Sequence, residues 1–255
     1  MKPVDLVADP LELTGRIVTA SNATFLGQVG STQVVYKPTA GEAPLWDFPD
    51  HTLAQRELAA YRVSELLGWN VVPTTCTRLG PFGHGMVQLW QEPDPDQQAV
   101  TLVPADQSLA PDRLPVFEGV DADGEAVALV HEDSAPLRRM AIFDVLVNNA
   151  DRKGGHVLDM SDGHRFGVDH GLTFHIEPKL RTVLWGWAGQ PLSSEEADAL
   201  TRLRQEWTER VVPALSDLLV EAEIDAFARR YDQLLEAGRF PDPHHGLPPI
   251  PWPPF

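Results

Sequence analysis

Three short runs near the start of the sequence alternate apolar and polar residues. Between residues 11 and 37 they read LTGRIVT, TFLGQV and TQVVYK, and the segments SNA and GST between them are small and polar. A period of two is typical of half-buried strands, and short polar segments between such runs are typical of tight turns. The pattern therefore predicts a three-stranded antiparallel meander.

A helical pattern and two further strand patterns follow the meander. Residues 52–69 read TLAQRELAAYRVSELLGW, in which apolar side chains recur at helical spacing and Gly68 marks the end of the helix. Two more strands are predicted by VVPTTCTRLG and HGMVQLWQE. Residues 1–92 are therefore expected to form a five-stranded antiparallel sheet with one helix.

The remainder of the chain predicts a linker, a hairpin and then mainly helices. Residues 92–115 are rich in Pro, Asp and Gln, which is typical of a linker or an adaptable loop. Two alternating runs then flank Asp-Ala-Asp-Gly, a strong hairpin signal. From Leu137 to Val147 apolar residues cover most of the helical circumference, as expected inside a sizeable core. Amphipathic patterns predict further helices at 194–209, 212–220 and 222–236.

These elements together predict an α+β fold in two lobes. Ser193 and Glu196 have the spacing of a capping box at the start of a helix. The last segment, PDPHHGLPPIPWPPF, is too rich in proline for a helix. The expected division is a sheet lobe at 1–92, a mainly helical lobe at 93–240 and a proline-rich tail at 241–255.

Composition is that of a globular protein with its own core. The chain has 255 residues, of which 43% are hydrophobic, enough for one large domain or two lobes. Cys76 is the single cysteine, which excludes an internal disulfide framework and a cysteine-cluster metal site. The first residues lack the apolar run of a signal peptide, and no window approaches about 18 uncharged apolar residues. We therefore expect a cytoplasmic protein without stable membrane insertion.

Charge narrows the range of partners. The chain carries 37 acidic and 20 basic residues, a formal net charge of −17. Such a surface repels phosphate backbones and anionic lipids over a Debye length of about 8 Å, so nucleic acid is not an expected partner. A nucleotide remains compatible with this charge, because a divalent cation and a few converging basic side chains dominate the local field.

Two acidic residues in the middle of the chain follow apolar segments and stand near glycines. Asp151 begins the loop DRKGGH after the apolar helix, and Asn148 and Asn149 break that helix. Asp169 follows a short apolar strand and precedes Gly171, which permits a sharp turn. Carboxylates held on turns by rigid structure can bind a divalent cation. The pattern therefore indicates a site for a polyphosphate and a metal.

At these residues the sequence resembles a known superfamily. Asp-Arg-x-x-x-His, followed by Asp-x-Gly after a strand, resembles the catalytic and metal loops of the phosphatidylinositol 3/4-kinase-like superfamily, especially type II phosphatidylinositol 4-kinases and HipA-like protein kinases. The similarity extends over IFDVLVNNADRKGGHVL, VDHGLTFHIEPKLRTVLWGWAGQPLSSEE and VVYKP. An actinobacterial kinase-like family of unassigned function looks more similar still. The resemblance implies a two-lobed atypical kinase fold that binds ATP with Mg²⁺ or Mn²⁺ between its lobes.

The resemblance implies nucleotide-binding roles in the first lobe. Lys37, at the end of the third strand, is similar to the lysine that pairs with nucleotide phosphates, and Glu57 to the helix glutamate that orients it. Without the resemblance, Lys37 reads as a surface lysine and Glu57 as a solvated glutamate beside Arg56. The segment from 86 to 90 corresponds to the hinge that meets adenine. The other cofactor-binding residues implied are Ser21, Asn22, Met86, Gln88 and Trp90.

In the second lobe the resemblance implies catalytic and metal-binding roles. Asp151 would orient or deprotonate the acceptor hydroxyl, and Lys153 would neutralise the transferring phosphoryl group. Asp169 would hold the metal that bridges the phosphates. His156 stands where these families usually have Asn as the second metal ligand, and a neutral imidazole prefers Mn²⁺ to Mg²⁺.

The segment after the second acid corresponds to an activation or substrate segment. Lys179 and Arg181 are two bases in an acidic protein, positioned to face an acidic or phosphorylated acceptor. Trp185 and Trp187 flank Gly186, and packing in the core describes them better than an acceptor platform does.

Other kinds of site fit the sequence less well. His164, His170 and His175, with His156, could suggest zinc, but neither HExxH nor a cysteine pair supports such a site. A serine hydrolase needs GxSxG, which does not occur. Cys76 lies in a predicted strand and reads as a small buried hydrophobe.

The sequence therefore predicts an ATP-dependent phosphotransferase whose acceptor is a hydroxyl group of a protein or a soluble small molecule. A phosphoinositide acceptor is less favoured, because the chain is acidic and lacks the palmitoylated cysteine cluster of the type II lipid kinases. The alternative is a nucleotide-binding pseudokinase that acts as a regulatory module, since His156 replaces the usual Asn.

Overall fold

The first part of the chain forms a five-stranded antiparallel sheet. The computed structural model describes residues 4–18, 20, 22–243 and 248–255. Gly30 has a φ of 61°, which allows the tight turn between the second and third strands. The predicted meander and the five-stranded sheet are confirmed. The strands are β1 (Leu11–Ile17), β2 (Thr24–Val29), β3 (Thr32–Pro38), β4 (Thr75–Gly80) and β5 (Gly83–Leu89), in the order β1-β2-β3-β5-β4.

The two faces of this sheet have different partners. A small apolar cluster around the buried Tyr36 covers one face. Lys37 and Met86 are paired in register across β3 and β5, so both side chains lie on the opposite face. Helix α1 (Leu53–Leu67) contacts β4 and β5 and ends at Gly68, whose φ is 69°. The predicted helix is therefore confirmed, and Lys37 points to its side of the sheet.

A second, three-stranded sheet follows. Its strands are β6 (Val100–Pro104), β7 (Arg113–Val120) and β8 (Ala126–Glu132), in the order β6-β8-β7. The hairpin predicted around Asp-Ala-Asp-Gly is confirmed as β7 and β8. The linker predicted at 92–115 is wrong in part, because β6 lies within it and pairs with the free edge of β8. A proline as its last residue and a length of only five residues conceal this strand in the sequence.

The remaining chain contains the other helices and one short two-stranded sheet. Ser193 and Glu196 form the predicted capping box, each side chain bonded to the other residue's backbone amide. The helix predicted at 194–209 ends earlier and continues as a π turn at Trp207–Val211, whose first and last residues are both buried. The elements are α2 (Ala135–Val147), β9 (Val157–Asp159), β10 (Arg165–Gly167), α3 (Ser194–Gln205), α4 (Val212–Leu215) and α5 (Glu221–Ala237).

One large apolar core connects helices α1, α2, α3 and α5. Trp185 and Trp187 are both buried, so the core interpretation of this pair is confirmed. The fold is α+β, with a five-stranded antiparallel sheet followed by a mainly helical part, as predicted. The division at residue 92 stays a prediction. Among the described residues, no helix combines the length and the apolar character needed to cross a bilayer.

Candidate functional site

Lys37 connects three segments that are far apart in the sequence. Its Nζ lies 2.8 Å from Glu57 Oε1 on α1 and also forms an ion pair with Asp169 Oδ1, in the loop after β10. Pro38 follows Lys37 and ends the strand, so the amine is held near the end of the central strand of the sheet. Burial disfavours the charged amine, but the two carboxylates outweigh that effect and raise the pKa of Lys37. The amine is therefore fully charged at neutral pH.

Glu57 orients this lysine from a buried position. Only 4% of its side chain is exposed. Its second carboxylate oxygen accepts a hydrogen bond from the backbone N–H of His170, at 2.9 Å. The interpretation of Glu57 as a solvated glutamate beside Arg56 is therefore wrong. Arg56 is itself buried, and its guanidinium donates to the Thr173 carbonyl oxygen. Glu57 joins α1 both to β3 and to the loop after β10.

Asp169 occupies an unusual backbone conformation. Its φ is 61°, which a residue with a Cβ adopts only at a cost of the order of 1 kcal/mol. The side chain is 47% exposed, so one side of the carboxylate faces solvent. The charge of Lys37 lowers the pKa of Asp169 despite partial burial. The result is a permanently ionised carboxylate with an accessible oxygen.

His156 presents an unprotonated nitrogen to this carboxylate. Its Nδ1 lies 2.8 Å from the carbonyl oxygen of Asp151, and a carbonyl can only accept, so Nδ1 carries the proton. Nε2 then has a free lone pair and lies 3.4 Å from Asp169 Oδ2. Burial lowers the pKa of His156, which keeps the ring neutral at pH 7. Two acceptors face each other without a shared proton, an arrangement suited to a cation between them.

Asp151 lies at the start of the loop after α2. Asn148 ends that helix in the left-handed conformation, with a φ of 55°, and Asn149 Oδ1 accepts from the Asp151 backbone N–H at 3.0 Å. The Asp151 carboxylate is partly exposed, and Lys153 Nζ lies 3.6 Å from it. The predicted catalytic pair is therefore brought together, next to His156.

Arg152 is the residue of this loop whose role sequence analysis missed. It is completely buried and forms a bidentate pair with Asp144 of α2, at 2.8 and 2.9 Å. Its Nη1 donates to the carbonyl oxygens of His156 and Val168, at 3.0 and 3.2 Å. Its Nη2 lies 2.6 Å from His170 Nε2. One guanidinium thus fixes both loops that present the candidate metal ligands.

Helix α2, which precedes Arg152, contains a residue that indicates a buried arginine nearby. Asp144 is a charged residue inside an otherwise apolar helical surface, and it is fully buried. A buried carboxylate needs a partner, and arginine is the side chain that pairs with it in bidentate geometry. Asp144 therefore predicts a buried arginine nearby, but not which one.

The other residues predicted to bind the nucleotide belong to β5, the residue after it and the segment before β2. Ser21 lies outside the described residues. Asn22 Oδ1 accepts from the Ala43 backbone N–H at 2.8 Å, so Asn22, just before β2, lies against the segment that follows β3. Met86 is buried on the same face as Lys37. This segment of β5 therefore borders the lysine.

Gln88 and Trp90 have partners within the protein. Gln88 is buried, and its Nε2 donates to Thr75 Oγ1 at 2.9 Å. The Trp90 backbone N–H donates to the Gln33 carbonyl oxygen at 3.0 Å, and its indole N–H to Glu92 at 2.8 Å. The Gln88 amide nitrogen and both Trp90 donors are therefore already bonded within the protein.

The two predicted substrate residues differ in their surroundings. Lys179 Nζ lies 2.8 Å from Asp47 Oδ2 and 5.1 Å from the ring centre of the exposed Trp46. Arg181 pairs through its backbone with the loop after α2, and Arg152 N–H donates to its carbonyl oxygen at 3.0 Å. Within the described residues its buried Nε has no hydrogen-bond partner. Arg181 is therefore the predicted base that lies beside the loop and keeps an unused donor.

The zinc alternative has no support in the described part of the chain. His164 and His175 bond to backbone carbonyl oxygens of Asn70 and Asp47, and His170 bonds to Arg152. No group of three or more His, Cys, Asp or Glu side chains in that part of the chain is arranged to hold a metal. His156 and Asp169 can therefore supply two ligands, and further ligands would come from a bound molecule or water.

Two surface pockets lie away from these residues. One is lined by the loop between β3 and α1, and the other lies between the end of α1 and the start of α3. Neither is lined by Lys37, Asp151 or Asp169. The gap between sheet and loops is bridged directly by the contact of Lys37 with Asp169.

Comparison with known proteins identifies a close relative. No protein-family model matches the chain. Protein Rv2133c of Mycobacterium tuberculosis is 50% identical over 258 residues, which cover 96% of this chain and 92% of that protein. The chain belongs to the Rv2133c family. The crystal structure of a Helicobacter pylori proinflammatory kinase, CtkA, is similar at a TM-score of 0.47 and 12% identity, covering 92% of this chain and 94% of the other.

Proposed function

We propose that this member of the Rv2133c family is a metal-dependent phosphotransferase that uses ATP. The observation that carries the proposal is the convergence of Lys37, Glu57 and Asp169, from three distant segments, beside the unprotonated Nε2 of His156. A charged amine next to an ionised, accessible carboxylate and a neutral imidazole suits a phosphate-bound divalent cation. Each of these groups is already in the required charge state at neutral pH.

Lys37 would hold the phosphates and Glu57 would keep its amine in place. Glu57 is buried and bonded through both oxygens, so it gives the amine a fixed direction. When ATP binds, Lys37 would exchange its contact with Asp169 for phosphate oxygens, which frees Asp169 for the cation.

His156 and Asp169 would hold the divalent cation, which neutralises charge on the phosphates during transfer. One imidazole nitrogen and one carboxylate are a mixed ligand pair, and imidazole binds Mn²⁺ more readily than Mg²⁺. We therefore propose Mn²⁺ as the better of the two cofactors for this protein.

Asp151 and Lys153 would act on the acceptor. In the transfer, the acceptor hydroxyl oxygen bonds to the γ-phosphorus while the bond from that phosphorus to ADP breaks, and the hydroxyl proton passes to Asp151. Lys153, 3.6 Å from Asp151, carries a positive charge at the place where phosphoryl charge develops. The acidic surface favours a protein or a soluble small molecule as acceptor over a phosphoinositide.

Two substitutions separate binding from chemistry. Asp151→Asn should leave ATP affinity in calorimetry unchanged and lower Mn²⁺-dependent ATP turnover by about 100-fold or more. Lys37→Met should weaken ATP binding itself, by about tenfold, since it removes one charged contact to phosphate. Asp198→Asn, on the exposed face of α3, is the matched control and should alter neither.

A pseudokinase is the second candidate. His156 replaces the usual amide ligand, and Lys37 bonds directly to Asp169. ATP binding that Lys37→Met weakens, together with no turnover in Mn²⁺ or Mg²⁺, would favour this regulatory module over the enzyme. Unchanged ATP affinity in Lys37→Met would count against both.

A further inference from the structure

The last residues of the sequence lie on the same face as the loop that carries Asp151. We call residues 248–255, PPIPWPPF, the terminal strap. The Pro249 carbonyl oxygen accepts from the Thr182 backbone N–H at 3.0 Å and from the Trp185 indole N–H at 2.8 Å. Pro251 is buried, and Ile250 packs against the main core. This half of the terminal strap is anchored.

The other half reaches the loop itself. The Pro254 carbonyl oxygen accepts from the Gly154 backbone N–H at 2.8 Å. The ring of Phe255 lies directly on Gly154, where any Cβ would overlap it. Gly154 is thus required by the strap, since a side chain there would displace the ring. Trp252 is 76% exposed and Phe255 46%, so this half is held far less firmly than Pro251.

Both attachment points flank the candidate catalytic aspartate. Gly154 is three residues after Asp151 and follows Lys153 directly. Thr182 is paired in parallel with Arg152, whose N–H and C=O bond to the residues on either side of Thr182. An acceptor that approaches Asp151 from this side would meet the same backbone groups that the strap now occupies.

The chemistry of the strap is that of a peptide that cannot react. It bonds through the main-chain carbonyl oxygens of Pro249 and Pro254, as a bound peptide does. No Ser, Thr or Tyr occurs between residues 241 and 255, so no side-chain hydroxyl is available for phosphorylation. We infer that the face around Gly154, beside Asp151, is an acceptor site for the main chain of a peptide, and that Pro254 and Phe255 close it as a non-reactive mimic.

This inference rests on the proposed phosphotransfer and goes beyond it in naming a peptide as the acceptor. Release of Pro254 and Phe255 would free the Gly154 N–H for the main chain of an incoming peptide, while the anchor at Pro249 stays in place. The terminal strap and an incoming peptide therefore compete for one main-chain donor, the Gly154 N–H.

The test measures ATP hydrolysis and phosphate transfer separately. The full chain is compared with a chain that ends at Pro253 and with Phe255→Ala, using Mn²⁺, labelled ATP and a mixture of random Ser- and Thr-containing peptides. Hydrolysis needs no peptide site and should be equal in all variants. The KM for peptide should fall by about five- to tenfold in the shortened chain, reflecting one lost hydrogen bond and one lost ring contact, and by less in Phe255→Ala. Trp252→Ala, which removes an exposed ring of the strap, should change nothing.

A second measurement tests competition directly. The peptide PIPWPPF, added to the shortened chain, should inhibit competitively against peptide acceptors and not against ATP. Hydrolysis with an unchanged or higher peptide KM in the shortened chain overturns the inference and leaves the proposed function standing. Transfer confined to small molecules overturns it equally. Absence of hydrolysis and transfer from every variant overturns the proposed function.

Discussion

At the scale of single residues, the guanidinium of Arg152 sets the distance between the two candidate metal ligands. It bonds to the carbonyl oxygens of His156 and of Val168, the residue before Asp169. Its charge is balanced by Asp144, inside the protein. A buried pair of this kind adds little net stability, but removal of one partner leaves an uncompensated charge.

Arg152→Met should therefore destabilise the protein by about 3–5 kcal/mol, because it leaves Asp144 buried without a counter-charge. Urea unfolding gives the free energy. Arg139→Met is the matched control: Arg139 also lies on α2 and pairs with Glu195, but that pair is exposed, and its loss should cost no more than about 1 kcal/mol. Equal losses in the two variants would contradict the buried-pair account. Asp144→Leu combined with Arg152→Met should recover part of the loss.

His131 gives the protein a source of pH dependence away from the site. It is fully buried, Nε2 accepts from the Gly186 N–H at 3.0 Å, and Nδ1 donates to the Glu132 carbonyl oxygen at 2.8 Å. Burial lowers the pKa of His131, and the nearby carboxylates of Asp133 and Glu132 do not offset it. In the unfolded chain a histidine titrates near about 6.5. The unfolded state therefore binds a proton first as the pH falls.

The contribution of His131 to stability is complete above about pH 6.5 and decreases below it. Between pH 7.5 and 5.5 it should lower the free energy of unfolding by at most about 1.4 kcal/mol, the limit set by protonation of the unfolded histidine alone. His131→Gln keeps an acceptor for Gly186 and should remove this part of the pH dependence. His84→Gln, at an exposed position of β5, should leave it in place. Parallel pH profiles for the wild type and His131→Gln would rule out His131 as the origin.

At the scale of elements, α1 is bonded to the helical part as firmly as to the sheet. Arg56 is buried, donates to the Thr173 carbonyl oxygen at 2.6 Å and forms an ion pair with Glu223 of α5. Arg62 donates to the Ala214 carbonyl oxygen at 2.7 Å. Because Glu57 neighbours Arg56, these bonds fix the carboxylate that orients Lys37.

Glu223→Ala should destabilise the protein by about 3 kcal/mol, since Arg56 stays buried without its counter-charge. It should also weaken ATP binding, because α1 carries Glu57. Asp217→Ala removes the exposed partner of Arg62 on the same side of α1 and should cost less than about 1 kcal/mol. Thermal unfolding and calorimetry with ATP measure the two effects. Loss of stability without any change in ATP affinity would show that α1 keeps its direction without Arg56.

The element patterns of the sequence identify the positions of Lys37, Glu57 and Asp169 because each follows or lies in a strongly periodic segment. Lys37 ends an alternating strand, Glu57 lies in the first part of a clear helix, and Asp169 follows an apolar strand. Their contacts are consistent with the expected convergence. Arg152 could not be found in this way, because a buried charge departs from the apolar periodicity that marks buried positions in a sequence.

At the scale of the whole molecule, contacts between distant irregular segments were beyond prediction. The Lys179 pair with Asp47 joins two loops without periodic pattern. The strand β6 depends on a free edge that only the assembled sheet provides. The terminal strap has no charged side chain and no helical or alternating pattern. Its contact with the loop of Gly154 could therefore not be predicted from the sequence. Such contacts depend on shape rather than on local propensity.

Helix α1 contacts β4 and β5, and its own Arg56 and Arg62 bond it to the helical part of the molecule. Because α1 is bonded on both sides, it cannot act as a hinge between the five-stranded sheet and the helical part. Under the proposed function, entry and release of ATP would then depend on movement of the β1–β2 hairpin, at the opposite edge of the sheet from β4. Substitutions that make the β1–β2 hairpin more rigid should slow the exchange of bound ATP without changing the residues proposed to contact it.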